Sequence, residues 1–165
     1  MTELERFFQL VHASFPAEPL PRRFFWAELN EQLFQPDIPG ELQSRLQNRR
    51  WTEIKLMDWL MTGVEPIISR SYLEPATFLY YLPSLLVGVF DDHGYLNWAI
   101  EAILPDNRWH KPRGKWWTAF HGCVSEKQRI TLCSFLSTVR SIHWETMGSD
   151  RQAAVTDAEG IWVVH

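Results

Sequence analysis

The apolar residues of this chain recur at helical spacing from its first residues onward. Thr2 and Glu5 match the capping-box pattern, in which each side chain binds a backbone N–H group at the start of a helix. Behind them, one helical stripe collects Leu4, Phe7, Phe8, Val11 and Phe15. We expect this helix to end before Pro16, because the residue before a proline avoids helical backbone angles.

Three further helices are predicted between residues 22 and 63. The first covers residues 22–34, the second covers residues 41–50, and the third starts at Thr52, which is a good N-cap residue. Trp51 and Leu56 flank that cap in the positions of a hydrophobic staple. The apolar positions of the three helices are Trp26, Leu29, Leu33, Leu42, Leu46, Ile54, Met57, Leu60 and Met61.

The most hydrophobic run of the chain, residues 71–90, predicts a central core helix over about 75–90. Pro75 suits the first turn of a helix, where the missing N–H group costs nothing. Pro83 lies in the middle of the run and should bend the helix. The apolar run from Ala76 to Phe90 is shorter than the ~20 residues that a bilayer requires, so we do not expect a membrane span.

The second half of the chain contains two clear helices separated by a segment without periodicity. Apolar residues predict a helix over residues 96–103, and residues 105–117 then read as a loop. Ser125 and Gln128 form a second capping-box pattern at the start of a long helix. A short helix and then an extended segment over 160–165 complete an all-α, single-domain bundle of six or seven helices around a Pro-kinked central helix, with one short C-terminal strand.

Composition supports a globular domain and adds a charge asymmetry. Hydrophobic residues make up 45% and charged residues 22% of the chain, which is ordinary, but nine Trp and ten Phe are many for 165 residues. Residues 1–104 hold fourteen acidic and eight basic residues, a balance of −6, whereas residues 105–151 have a balance of +4. We therefore expect a molecule with oppositely charged faces.

The cysteines and the N-terminus predict a cytoplasmic protein. If Cys123 and Cys133 are joined by a helix, they lie roughly 15 Å apart along its axis, which is too far for a disulfide. The N-terminal residues lack the basic start and the continuous apolar run of a secretion signal. Free thiols in a reducing compartment are the expected state.

Two segments, residues 71–86 and 124–139, resemble a pattern of a family of small bacterial proteins of unknown function. That pattern is a Leu–x–Pro–x–x–Phe–x–Tyr–Tyr–Leu–Pro helix followed by a Glu–x–Gln–Arg helix ending in Phe–Leu. The matching positions are Leu73, Pro75, Phe78, Tyr80, Tyr81, Leu82, Pro83, Glu126, Gln128, Arg129, Phe135 and Leu136. The resemblance implies a relation to the small proteins found near polymorphic toxins in bacterial genomes, and it carries over no catalytic residue.

Two small clusters contain residue types that can do acid–base or nucleophilic chemistry. Asp91, Asp92 and His93 pair carboxylates with an imidazole, but a polar turn in which Asp92 caps the next helix is the favoured explanation. His121 and Cys123 stand just before a helix N-terminus, where a thiol can have a lowered pKa. Neither cluster shows the third partner that a catalytic site requires, so structural roles are favoured.

The sequence predicts no cofactor and no metal. The six His are scattered, and no His–x–x–x–His or Cys–x–x–Cys spacing occurs that would place two ligands on one helical face or knuckle. No Gly-rich phosphate loop and no Gly–x–Ser–x–Gly elbow is present.

The segment "RWHKPRGKWW", residues 108–117, alternates basic and aromatic residues. Such residues can stack and neutralise single-stranded nucleic acid, and they also dominate protein–protein interfaces. The favoured interpretation places the tryptophans in the core while the charges stay in water, with a protein partner next and nucleic acid last. The net charge of −4 argues against nucleic acid as the partner.

The leading hypothesis is a non-enzymatic protein that binds another protein, and in its sharper form an immunity protein that neutralises a bacterial toxin. The predicted partner-binding residues are Arg108, Trp109, Lys111, Arg113, Lys115 and Trp116, together with Asp91 and Asp92. The runner-up is a small hydrolase or transferase that uses either His121 with Cys123 or Asp92 with His93. A single-stranded nucleic-acid binder is the third hypothesis.

Overall fold

A computed structural model describes residues 1–28, 38–105 and 114–163, and these residues are all-α. They contain nine α-helices and no strand, which confirms the predicted fold class. Six helices have seven or more residues: α1 (Glu3–Ser14), α5 (Pro75–Gly88), α6 (Leu96–Ala102), α7 (Lys115–Cys123), α8 (Glu126–His143) and α9 (Ser149–Trp162). Three are shorter: α2 (Leu42–Leu46), α3 (Leu56–Leu60) and α4 (Pro66–Ser69). Single 3₁₀ turns cover Trp51–Glu53, Arg70–Tyr72, His93–Tyr95 and Trp144–Thr146.

Both predicted capping boxes are present at the starts of α1 and α8. Thr2 N donates to Glu5 Oε2 at 2.8 Å, and Glu5 N donates to Thr2 Oγ1 at 3.1 Å. Ser125 and Gln128 make the same reciprocal pair at 3.0 and 3.2 Å. Each box satisfies backbone N–H groups that a helix start leaves without an intrahelical partner.

Helix α5 is the central element, as its hydrophobic sequence predicts. The helix continues through Pro83, and residues on different sides of it are buried, including Thr77, Leu82 and Pro83. It packs against α3, α6, α7 and the Trp51–Glu53 turn. In the described part of the chain, no helix is long and apolar enough to cross a membrane.

The remaining long helices share one hydrophobic core with α5. Helix α1 packs on α8, and α8 in turn packs on α9. Phe7, Phe90 and Phe135 form a triangle in which every ring-centroid distance is 5.6–5.7 Å. Aromatic pairs at such distances add stability beyond the area that they bury.

The predicted C-terminal strand is wrong for residues 160–162, because α9 continues to Trp162. Trp162 is 1% exposed, and its Nε1 donates to the backbone carbonyl of Ile103 at 2.8 Å. Its own carbonyl accepts a 2.8 Å hydrogen bond from Arg129 Nη1. These tertiary contacts hold the last turn of the helix, and residues 164–165 lie outside the described residues.

The helix predicted over residues 22–34 does not begin at Arg22. Phe25 instead forms an isolated antiparallel bridge with Leu73. Glu74 N donates to Phe24 O at 3.0 Å, and Trp26 N donates to Tyr72 O at 2.9 Å. Residues 24–26 thus obtain their backbone hydrogen bonds from residues 72–74, which local sequence does not reveal. Residues 29–37, which include the end of the predicted helix, lie outside the described part of the chain.

The third predicted helix begins later than expected. Thr52 lies within the 3₁₀ turn Trp51–Glu53, and α3 starts only at Leu56. Asp58 Oδ2 accepts a 2.9 Å hydrogen bond from Lys55 N and so satisfies a backbone group at the start of α3. Trp59 is then buried, whereas the side chain of Met57 is 60% exposed.

Candidate partner-binding groove

The predicted basic–aromatic loop is only partly described. Arg108, Trp109, Lys111 and Arg113 lie outside the described residues. Residues 115–117 form the first turn of α7, so the loop predicted over 105–117 is wrong at this end. Lys115 is exposed, and its Nζ lies 3.8 Å from Glu28 Oε2.

Trp116 is a core residue rather than a surface residue. It is 7% exposed, its ring stacks on Phe120 at 5.2 Å, and its Nε1 donates to Leu73 O at 2.8 Å. The buried guanidinium of Arg70 lies 5.0 Å from the Trp116 ring and 5.4 Å from the Trp117 ring. Both tryptophans therefore stabilise the packing of α7, and Trp116 has little exposed surface for a partner.

The acidic residues Asp91 and Asp92 lie at the exposed end of α5. The carboxylate of Asp92 accepts a 3.1 Å hydrogen bond from Gly94 N and caps the turn His93–Tyr95 that leads into α6. Asp92 therefore has the structural role that its sequence position allows. Asp91 N donates to Gly88 O at 3.0 Å, which continues the last turn of α5.

The carboxylate of Asp91 has no hydrogen-bond or ion-pair partner within residues 1–28, 38–105 and 114–163. Its position after the C-terminus of α5 is also unfavourable, because the helix dipole places partial negative charge there. This exposed carboxylate therefore has no stabilising partner among the described residues. It is therefore available for an interaction outside the chain.

His93 is placed beside a residue that the sequence does not connect to it. Its ring stacks on that of His143, at the end of α8, with centroids 5.7 Å apart and planes at 19°. Burial, and secondarily the neighbouring His93, lower the pKa of His143. No sequence spacing signals this pair, because the two residues come from α8 and a distant turn.

Asp91 lies on a surface groove of about 350 Å³ between residues 51–57 and the C-terminal half of α5. Ser84, Val87 and Gly88 belong to the α5 side of the groove, and Trp51, Ile54 and Leu56 to the opposite side. The remaining lining residues are His12, Thr52, Lys55, Met57 and Asp91. The volume lies near the lower end of the about 300–1,000 Å³ range of ligand sites.

The groove depends on close contact between Leu56 and Gly88. A Cβ atom built on Gly88 would lie 3.2 Å from Leu56 Cβ and 3.4 Å from Leu56 N. Trp51 is held by two further bonds: its Nε1 donates to Phe15 O at 2.9 Å, and its backbone N donates to Tyr80 Oη at 3.2 Å. One side of the groove is therefore fixed in position without a ligand.

The groove brings together Ser84, His12 and Asp91, which are the residue types of a hydrolytic triad. Ser84 Oγ, however, donates to Tyr81 O at 2.6 Å and accepts from Trp59 Nε1 at 2.9 Å. Within the described residues no hydrogen bond links any two of the three side chains. A nucleophile needs a base within hydrogen-bond reach, so this arrangement does not activate Ser84.

The alternative nucleophile Cys123 is exposed but is not activated. Partial burial raises the pKa of the Cys123 thiol, and the charge of Glu74 raises it further. His121 is two residues away on α7, and residues at that spacing do not face each other on a helix. Its ring instead stacks on Trp162 with centroids 5.1 Å apart.

A second groove, of about 430 Å³, lies between residues 19–23 and the N-terminal turn of α5. Arg22 and Arg23 line it, together with Glu74 and Tyr80. The hydroxyl of Tyr80 is engaged by Ala17 O and Trp51 N. This groove offers positive charge, in contrast to the unpaired carboxylate of the first one.

The groove at Asp91 has apolar lining residues and an unpaired carboxylate. Among the described residues it shows no hydrogen-bonded catalytic group. Over the ranges that the structure describes, no three His, Cys, Asp or Glu side chains are placed to hold a metal ion. Sequence analysis does not point to His12 or Lys55 and treats Met57 only as an apolar helix position, because no local pattern connects α1 with residues 51–57. No protein-family model, no curated protein and no solved structure matches the chain.

Proposed function

We propose that this protein is non-catalytic and acts by binding another protein through the groove at Asp91. The observation that carries the proposal is the unpaired Asp91 carboxylate on the same groove as the exposed side chain of Met57. An apolar centre with charged residues around it is the usual arrangement of an interface. Methionine also adapts its shape to a partner, because its side chain is unbranched and polarisable.

The sharper form of the proposal is that the partner is a toxin that this protein neutralises. The balance of −6 over residues 1–104 supports a basic partner, since complementary fields speed and orient association. Residues 71–86 and 124–139 resemble a family of small bacterial proteins of unknown function, and the relation to toxin-associated proteins that this resemblance implies agrees with a toxin partner.

The enzymatic alternative has less support. Cys123 has a raised pKa and no hydrogen bond to His121, and Asp92 is engaged in capping Gly94 N. A direct test of the thiol is the alkylation rate of Cys123 at neutral pH. A rate above that of an unperturbed thiol would favour the enzymatic alternative.

Site-specific photocrosslinking in the cells that produce the protein tests the proposed function. A photoreactive amino acid at position 57 should give a covalent adduct with a single other protein, in which one molecule of each protein is present. The matched control places the same amino acid at Ile142, an exposed apolar position on α8 that is 48% accessible.

The expected result is an adduct from position 57 that is missing from position 142. Equal adducts from both positions, or none from either, would contradict the proposal. If the captured protein is toxic when it is expressed alone and harmless when co-expressed with this chain, the sharper form is supported.

A further inference from the structure

The polarity of the groove at Asp91 specifies which kind of segment it accepts. We propose that the groove binds a short segment of the partner protein in which a bulky apolar side chain lies next to Lys or Arg. This inference rests on the proposed function. The apolar side chain would lie against the lining residues Leu56, Met57 and Val87, and the cation would pair with Asp91.

The apolar part of the groove is formed by Val87 and Gly88 on α5 and by Leu56 on the opposite side. Ser84 also lines the α5 side, but its hydroxyl hydrogen is already donated to Tyr81 O, and its oxygen accepts from Trp59 Nε1. Burial of an apolar side chain against Val87 and Leu56 is favourable. The group that suits this part of the groove is therefore apolar.

The charges around Asp91 favour a cation. Its carboxylate is unpaired among the described residues, the exposed carboxylate of Asp92 is its neighbour in sequence, and both follow the negative end of the α5 dipole. A cation on the segment would form a charge-assisted pair with Asp91.

Lys55 precedes Leu56 on the opposite side of the groove and adds a positive charge there. No ion pair joins Lys55 to Asp91 or to any other described residue, so its positive charge is not neutralised. A uniformly basic segment would be repelled there. The groove therefore favours a segment with one cation beside an apolar residue over a polybasic tract.

The test selects a phage-displayed library of random twelve-residue peptides against the purified full-length protein. The expected result is enrichment of peptides in which Lys or Arg adjoins Leu, Met or Phe. Selection on the Asp91→Arg variant should instead enrich peptides in which Asp or Glu adjoins the same apolar residues. A peptide selected on the wild type should bind Asp91→Arg about tenfold more weakly, as expected when a charge-assisted hydrogen bond is replaced by repulsion.

The matched control is Asp157→Arg, which reverses an exposed acidic residue on α9 away from the groove and should leave the wild-type selection unchanged. Met57→Glu should abolish enrichment of the apolar residue, and circular dichroism would verify that each variant is folded. Enrichment that Asp91→Arg leaves unchanged, or no enrichment at all, would overturn the inference. If photocrosslinking at position 57 still captures one partner in that case, the proposed function stands and only the inferred segment is wrong.

Discussion

Several residues of segments 71–86 and 124–139 have direct structural roles. Arg129 pairs with Glu126 at the start of α8, and its Nη1 also donates to Trp162 O at the end of α9. The hydroxyl of Tyr80 accepts from Trp51 N and donates to Ala17 O, which joins α5 to two loops. Residues of this kind hold elements together, so their presence does not require a catalytic function.

At the same scale, His143 should make the protein sensitive to mild acid. Its pKa is lowered in the folded state, first by burial and then by His93, whereas the unfolded value is about 6.5. The unfolded chain therefore binds more protons as the pH falls below about 6.5, and the free energy of unfolding decreases. Urea titrations at pH 7.5, 6.5 and 5.5 should show this decrease in the wild type.

His143→Gln should flatten that pH dependence, because the variant removes the titrating group. His93→Gln should flatten it only partly, since burial is the larger cause of the shift and remains in place. A wild-type free energy of unfolding that rises between pH 7.5 and 5.5 would contradict the prediction.

At the scale of elements, α9 is held by its last residue rather than by a strong local signal. The indole Nε1 of Trp162 donates to Ile103 O, and its ring packs on Trp117 and Phe120 with centroids 6.0 and 6.1 Å apart. These contacts tie α9 to the end of α6 and to α7. The end of α9 is thus a consequence of packing.

Trp162→Phe should reduce the free energy of unfolding by about 1–3 kcal/mol, because it removes the donor to a buried carbonyl while keeping an aromatic ring. Trp162→Ala should cost about 3–5 kcal/mol, because it also leaves a cavity. Urea denaturation followed by circular dichroism measures both. The control Val163→Ala changes the exposed neighbouring residue and should stay within about 0.5 kcal/mol. Equal effects of Val163→Ala and Trp162→Phe would argue against this role of the indole.

At the scale of the whole molecule, one continuous core includes residues from every long helix. The cluster extends from Phe7 in α1 to Trp162 in α9 and includes the buried tryptophans Trp51, Trp59 and Trp116. A core shared in this way leaves no long helix able to bury its apolar face alone. We therefore expect the molecule to unfold in one cooperative step.

This expectation is checked by following urea denaturation with two probes. Circular dichroism at 222 nm reports the helices, and tryptophan fluorescence reports the packing of the indoles. The two transition curves should superimpose, with the same midpoint. A fluorescence transition at clearly lower urea concentration would show that one part of the core unfolds first.

The elements that the sequence predicts correctly are those with complete local signals. Thr2 and Ser125 begin α1 and α8 because a capping box is made within four residues. The extended residues 22–26 and the last turn of α9 are not predictable in this way. Their backbone conformation is held by bonds to Tyr72, Glu74 and Ile103, which are distant in sequence.

One residue of the candidate site is predictable from sequence, and the groove around it is not. Asp91 is identifiable from sequence as a polar residue directly after an apolar helix, although its lack of a partner is not. The groove beside it also contains His12 of α1 and residues from Trp51 to Met57. No spacing in the sequence brings α1, residues 51–57 and the end of α5 together, because only tertiary packing does so.

The sequence by itself determined the helical class, the central position of α5 and the starts of the capped helices, since helix periodicity and capping act over a few residues. Only the tertiary structure decided that Trp116 is buried, that α9 continues to Trp162 and that Asp91 lies unpaired on an apolar groove. The physical reason is range. Burial and pairing depend on contacts between residues that are distant in sequence. A local pattern of apolar residues predicts that one face of a helix is buried, but it does not predict which element covers that face.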